Sequence, residues 1–287
     1  MNLLESIEQR VVLGDGALGT QLLLGERSWK DCLEFINVER PEEVHDLHRR
    51  YLDAGAEIIE TNSFGANRVR LARHRLADRV NEINWQAAQI ARQAAQGYPA
   101  LVAGSVGPLG LSADEAQHHG IDRLEVYLEQ IGALLDGGAQ AIFLESFSDE
   151  NELLIALEAK QTLHHCPVVS MLSCDPSGFL PSGLPLEEAL LRLLEQGSDM
   201  VGINCLSGPQ ATLRLLQRLP AHLPLAAFPN AGSPAIMEGK LSFDASPEYF
   251  AQAAEAMVAE GAKLIGGCCG IGPEHIKAAK ARVRGLP

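Results

Sequence analysis

The feature that most constrains this chain is a period. Eight times over, a short, largely apolar run gives way to a polar or glycine-rich turn and then to an amphipathic segment. The runs lie at 11–13, 57–61, 101–103, 141–144, 168–172, 200–203, 225–228 and 263–265. Between and after them, helical spacing of apolar residues is read over 41–54, 69–96, 122–135, 149–163, 185–196, 209–218, 247–260 and 273–283. Strands that alternate with helices must run parallel, because each helix carries the chain back to the same end of the sheet. Eight such units in 287 residues predict a single-domain α/β fold over 1–287, a closed (β/α)8 TIM barrel. An open doubly wound sheet is the alternative, and the Gly14, Gly16, Gly19 spacing after the first run is the pattern it would need. Asp15 inside that turn would repel a pyrophosphate, so the match carries little weight.

Charge narrows the function. A formal net charge of −14 leaves no basic footprint for nucleic acid or for anionic lipid, which favours small-molecule chemistry. The N-terminal MNLLESIEQR lacks a long apolar core, and no uninterrupted apolar run is long enough to span a bilayer. The expected location is therefore cytoplasmic, where six cysteines point to metal binding or core packing before disulfides.

In a barrel of this kind, residues just past the strand ends form one rim, where active sites are built. Asp15, Thr61, Asn62, Glu145, Asn204, Cys205, Asn230, Cys268 and Cys269 all fall there. Cys205 and Cys268 are 63 positions apart, two strand-helix units, so three thiolates from neighbouring strand ends are within reach of one ion. Soft sulfur ligands select zinc or a comparable thiophilic metal. A vicinal disulfide or two buried core thiols are the competing readings. Three protein ligands would leave the fourth tetrahedral position open to a substrate thiol, which the metal would deprotonate. Asp15 and Glu145 are suited to an ammonium group, or else cap a loop and pair with a neighbouring base. Asn230 is a turn residue or an oxygen ligand. Ser105 and Gly107 could donate to a carboxylate. The His118-His119 and His164-His165 pairs read as solvated surface, and Trp29 and Phe35 as loop packing or as aromatic contacts for a donor cation.

Several stretches carry a resemblance: GDGALGTQ at 14–21, ETNSFGANR at 60–68, GSVGP at 104–108, FLESF at 143–147, GINC at 202–205, PNAG at 229–232 and GGCCGIGPEHI at 266–276. In order, and over nearly the whole chain, they resemble the homocysteine S-methyltransferase family, most of all the homocysteine-binding barrel of cobalamin-dependent methionine synthase. The resemblance implies zinc held by Cys205, Cys268 and Cys269, homocysteine sulfur as the incoming ligand, and methionine as product. It also implies that Asp15 and Glu145 bind the homocysteine amino group with Thr61 and Ser63 nearby. Ile271 and Gly272 depart from the family, where many members have Thr-Thr or Thr-Ser. A chain of this length is expected to have no room for the folate and cobalamin modules of methionine synthases. Length therefore favours a small sulfonium donor, S-methylmethionine or S-adenosylmethionine, whereas the resemblance favours a methylcobalamin protein on another chain. The reading from a different class is a thiol- or metal-binding barrel without turnover.

Overall fold

The computed structural model describes residues 3–24, 28, 30–237 and 240–283. Its strands are β1 (Val12–Leu13), β2 (Ile58–Glu60), β3 (Leu101–Val106), β4 (Ala141–Phe147), β5 (Val168–Leu172), β6 (Met200–Asn204) and β7 (Leu225–Phe228). An antiparallel hairpin follows, β8 (Ala235–Met237) and β9 (Lys240–Ser242), and then β10 (Ala262–Ile265). Eight strands form one parallel sheet in the order β1-β10-β7-β6-β5-β4-β3-β2. Its two ends meet, since the Glu57 N–H donates to Leu13 O at 2.7 Å and the Glu60 N–H to Asp15 Oδ2 at 3.0 Å. The fold is a (β/α)8 barrel, and at its seam a carboxylate stands where a regular ladder would offer a carbonyl.

Alternation along each strand sorts the side chains. Val12, Ile58, Phe143, Met171, Phe228 and Leu264 fill the barrel interior, while Leu13, Ile59, Leu144 and Ile265 face the helices. The helix Leu3–Gln9 closes the bottom with Leu3 and Ile7 buried in the same interior cluster. Phe143 and Phe228 meet edge to face with ring centroids 6.0 Å apart. Gly14 and Gly266 lie against the Phe228 ring; a Cβ would sit 2.8 Å and 2.2 Å from it, so the layer below the rim closes only with glycine there.

Local signals placed most helices well. Pro41–Ala54 starts on its proline and ends at Gly55, whose φ of +111° only glycine adopts freely. Asp149 caps Glu150–Thr162 by accepting from the Asn151 N–H. The segment expected as one helix over 69–96 is broken: Arg68–Ala72 is followed by a turn with Arg75 at φ +62°, and Val80–Ala94 resumes. The break lets Leu71 from the first piece and Val80 and Ile83 from the second bury together with Ala66, which one straight rod could not do. The hairpin β8/β9 and the short helix Ala113–His118 were not read from the sequence, being too short to display a period. No described helix is long and apolar enough to cross a membrane.

Candidate metal and substrate site

Three sulfurs converge at the C-terminal rim. The Sγ atoms of Cys205, Cys268 and Cys269 all lie within 4.8 Å of one another, and the Cys268-Cys269 pair is free of any disulfide. Backbone clamps bring them together. The Cys205 N–H donates to Phe228 O at 3.1 Å and the Cys268 N–H to Pro229 O at 2.8 Å, while Cys269 O accepts from Ala231 N–H at 2.8 Å. On the other side the Gly267 N–H donates to Asp15 O at 2.9 Å, and the Gly270 N–H to Thr20 Oγ1 at 3.2 Å. The pair of cysteines is thus held between the ends of β7 and β1. Cys205 at φ +57° and Ser146 at φ +61° are two of three left-handed non-glycine residues among the described positions, and both sit at this rim. That conformation costs roughly 1 kcal/mol or more per residue, which the surrounding hydrogen bonds must offset.

Tetrahedral zinc with bonds of about 2.3 Å separates its sulfur ligands by about 3.8 Å, a spacing compatible with sulfurs that lie within 4.8 Å of one another. The three sulfurs hydrogen-bond to one another. Hydrogen bonds from the Cys268 and Cys269 thiols, with help from Asn230 and Ser146, pull the Cys205 pKa down to about 3. The same contacts push Cys269 up to about 12 and Cys268 well above its ordinary range, because both are held as donors. Asn230 Oδ1 is buried beside the cluster with no hydrogen-bond partner, an unspent oxygen next to a soft donor set.

Beside the sulfurs stand three carboxyls, Asp15 and Glu60 buried and Glu145 half-buried. Glu145 accepts from Ser105 Oγ and, at 3.3 Å, from Asn204 Nδ2, and shares a hydrogen bond with Glu60. Asp15 is fully buried behind Glu60, with Oδ2 on the Glu60 N–H and Oδ1 without a partner. No Arg or Lys among the described residues pairs with any of the three. Burial pushes all three pKa values up; the charges of Glu145 and Asp15 add to the effect at Glu60, and that of Cys205 at Glu145. Such a cluster favours a cationic ligand, because an ammonium group would supply the missing opposite charge.

A cavity of about 450 Å³ joins these groups; its lining includes Glu60, Thr61, Ser63, Glu145, Cys205, Cys268 and Cys269. Glu60 lines it and Asp15 does not. The Thr61 and Ser63 hydroxyls belong to a ring: the Ser105 N–H donates to Thr61 Oγ1 at 3.0 Å, Thr61 and Ser63 share 2.6 Å, and Ser63 Oγ donates to Ser105 O at 2.7 Å. Asn62, also expected at the rim, lines the cavity and donates its amide to Leu33 O and Asn37 Oδ1, which anchors the first loop. Phe35 packs under the Arg79 guanidinium, 4.6 Å from its ring centroid, outside the cavity lining, and Trp29 lies outside the described residues. Gly107 spends its N–H on Phe64 O. Ile271 is buried with its carbonyl accepting from Ala17 N–H and Tyr51 Oη, and His275 Nδ1 accepts from the Gly272 N–H at 3.1 Å. The departure from the Thr-Thr pattern is thus absorbed by backbone contacts.

Glu60, Ser146 and Asn204 complete the arrangement, and the first two were not singled out from the sequence. Asn204 ties the ends of β4 and β6, accepting from the Ser146 N–H at 2.9 Å and donating to Ser146 Oγ at 2.8 Å. The apolar run over 57–61 extends one residue past the strand, which stops at Glu60 itself.

Residues 12–283 match the model of a protein family described as homocysteine S-methyltransferase. The methionine synthase of Mycobacterium leprae is 34% identical over 303 residues, covering 98% of this chain and 25% of the relative. That of Mycobacterium tuberculosis is 34% identical over 306 residues, covering 99% and 26%. The chain therefore spans about a quarter of the length of the curated relatives it matches. Among solved structures, the metallated form of the homocysteine methyltransferase MmuM from Escherichia coli superposes with a TM-score of 0.78 at 28% identity, covering 98% of each chain.

Proposed function

The chain belongs to the homocysteine S-methyltransferase family, and from that premise we propose that it methylates the sulfur of homocysteine to give methionine, using zinc held by Cys205, Cys268 and Cys269. The observation that carries this reading is the convergence of three sulfurs within 4.8 Å beside carboxyls that no Arg or Lys among the described residues balances. Bound zinc would lower the pKa of the incoming thiol enough for its proton to be lost at neutral pH. Glu145 and Glu60, backed by Asp15, receive the amino group of homocysteine. Thr61 and Ser63 hold the β2 and β3 ends rigid around it through their hydroxyl ring. Asn230, with its unpartnered Oδ1, would be an oxygen donor to the metal when no substrate thiol is present.

With substrate anchored at both ends, its sulfur attacks the methyl carbon of a donor cation. One S–C bond forms, the bond from methyl to donor breaks, and the donor leaves with the electron pair and one positive charge fewer. Charge is neutralised in that step, so a cavity poor in water favours it. The donor is a small sulfonium such as S-methylmethionine or S-adenosylmethionine, or a separate methylcobalamin protein. The test is methionine formation from homocysteine with each donor in turn. The zinc-loaded protein is expected to turn over with one of them, and a chelator or Cys268→Ala to abolish turnover. Methionine formation that survives in Cys268→Ala would exclude the metal reading, and thiol binding with no methionine from any donor would leave a binding protein.

A further inference from the structure

The cavity that holds the cysteines has an outer wall that the transfer of a methyl group to homocysteine does not by itself explain. Arg70, Arg73 and His74 line it. Arg70 is half-buried and its guanidinium stacks on the Phe64 ring, 5.1 Å from the centroid. Among the described residues that guanidinium has no hydrogen bond and no ion pair. Its neighbours along the segment do: Arg68 forks onto Glu129, and Arg79 onto Glu82 at 2.6 Å and 2.7 Å. Two guanidiniums converge here, since a Cβ placed on Gly110 would lie 3.2 Å from Arg70 Nε and 3.3 Å from Arg73 Nη2. Gly110, at φ +77°, is the residue that lets both approach, and its carbonyl accepts from Arg73 at 2.8 Å.

The acids nearby are spent elsewhere. Glu34 accepts from the Gly65 N–H at 2.8 Å and from Cys32 Sγ at 3.6 Å, and Asp31 from the Ser28 N–H at 2.8 Å. Burial, followed by the Arg73 charge, works against the charged form of Arg70, and the Glu34 and Glu152 carboxylates only partly compensate. A protein that places like charges side by side, facing ligand space and stacked on an aromatic ring, holds them for an anion.

The geometry points to an anion-binding subsite at Arg70 and Arg73 that receives a carboxylate or phosphate of the methyl donor. The inference rests on the methyl-transfer reading for the identity of its ligand. Homocysteine is anchored inside, at the sulfurs and carboxyls, so the wall nearer the mouth is what an arriving donor meets. A donor lacking any anionic group would meet two positive charges and gain nothing from them.

Calorimetric titration of the zinc-loaded full chain tests this with two probes, inorganic phosphate and S-methyl-L-methionine, with L-methionine in place of homocysteine so that no substrate thiol is present to be methylated. Dimethyl(3-aminopropyl)sulfonium, which lacks the carboxylate, is the control. Wild type is expected to bind both probes. Arg70→Gln should weaken both about tenfold, as expected for loss of a charge-assisted contact. Homocysteine should bind the variant as it binds wild type, the cationic control should bind it no more weakly than wild type, and Arg70→Lys should fall between for the two probes. Wild type that binds neither probe, or a variant that binds them undiminished, would overturn the subsite. So would a loss of homocysteine affinity as large as that of the probes, which would assign Arg70 to the amino-acid substrate. A chain that makes no methionine from any donor yet loses phosphate affinity in Arg70→Gln would keep the anion site and lose the methyl-transfer reading.

Discussion

At the scale of single residues, the site is a division of labour between sulfur and oxygen. Glu145 is held by Ser105, Asn204 and Glu60, and none of these brings a positive charge. Glu145→Gln keeps the shape and most of the hydrogen bonds but removes the charge an ammonium needs. It is expected to weaken homocysteine at least tenfold while leaving 4-mercaptobutanoate, which has no amino group, unaffected, as read by equilibrium thiol binding. Equal affinity for homocysteine in variant and wild type would remove Glu145 from the amino-group site. The cysteines were legible in the sequence because adjacent thiols between glycines, with a third two units upstream, stand out in any chain. Glu60 was not, because a carboxylate at a strand end looks like any alternating polar residue until the strand's last residue is known. Arg70 was hidden for a related reason: in sequence it is one arginine among several, and only the absent partner distinguishes it.

At the scale of elements, what matters is how the loops after β1 and β10 are locked together. Ile271 O takes both the Ala17 N–H and Tyr51 Oη, and a Cβ on Gly16 would sit 2.3 Å from that same oxygen. A backbone atom cannot rotate out of the way as a side chain can. Gly16→Ala is therefore expected to destabilise by about 2–3 kcal/mol and to lower zinc affinity, because it prises the Cys268-Cys269 loop from its support. Chemical denaturation and metal titration check the two effects, and an unchanged midpoint with unchanged metal affinity would show the clamp to be dispensable. The order of strands and helices was readable from the 2-residue and 3.6-residue periods. The break after Ala72 was not, since apolar residues continue at helical spacing through the turn. The reason for the break, a small separate core of Ala66, Leu71, Val80 and Ile83, exists only in three dimensions.

At the scale of the whole molecule, the barrel holds three carboxyls in its mouth at a cost to its own stability. Burial raises the pKa of Asp15, Glu60 and Glu145 in the folded protein, with the Glu145 charge adding to it at Asp15 and Glu60 and the Cys205 charge at Glu145, so unfolding above the unfolded carboxyl range releases protons. Stability of the ligand-free protein from this source is full below the unfolded carboxyl range of about 4 and is lost as pH rises through the folded values. Glu60→Gln is expected to raise the melting temperature of the metal-free protein at pH 7 to 8 by a few degrees and to flatten its fall with pH. A variant no more stable than wild type across that range would contradict the charge argument. Helix periodicity and strand count made the closed barrel legible from sequence, whereas the seam between β1 and β2, closed partly by the Asp15 side chain, was not.

The central claim is that three cysteine sulfurs share one zinc and leave a position for the sulfur of homocysteine. X-ray absorption at the zinc edge measures this directly, by counting sulfur neighbours before and after homocysteine is added. The account expects three sulfurs and a lighter ligand in the free protein, becoming four sulfurs at about 2.3 Å with substrate. A count that stays at three when homocysteine is bound, or zinc that finds fewer than three sulfurs at the outset, would contradict it.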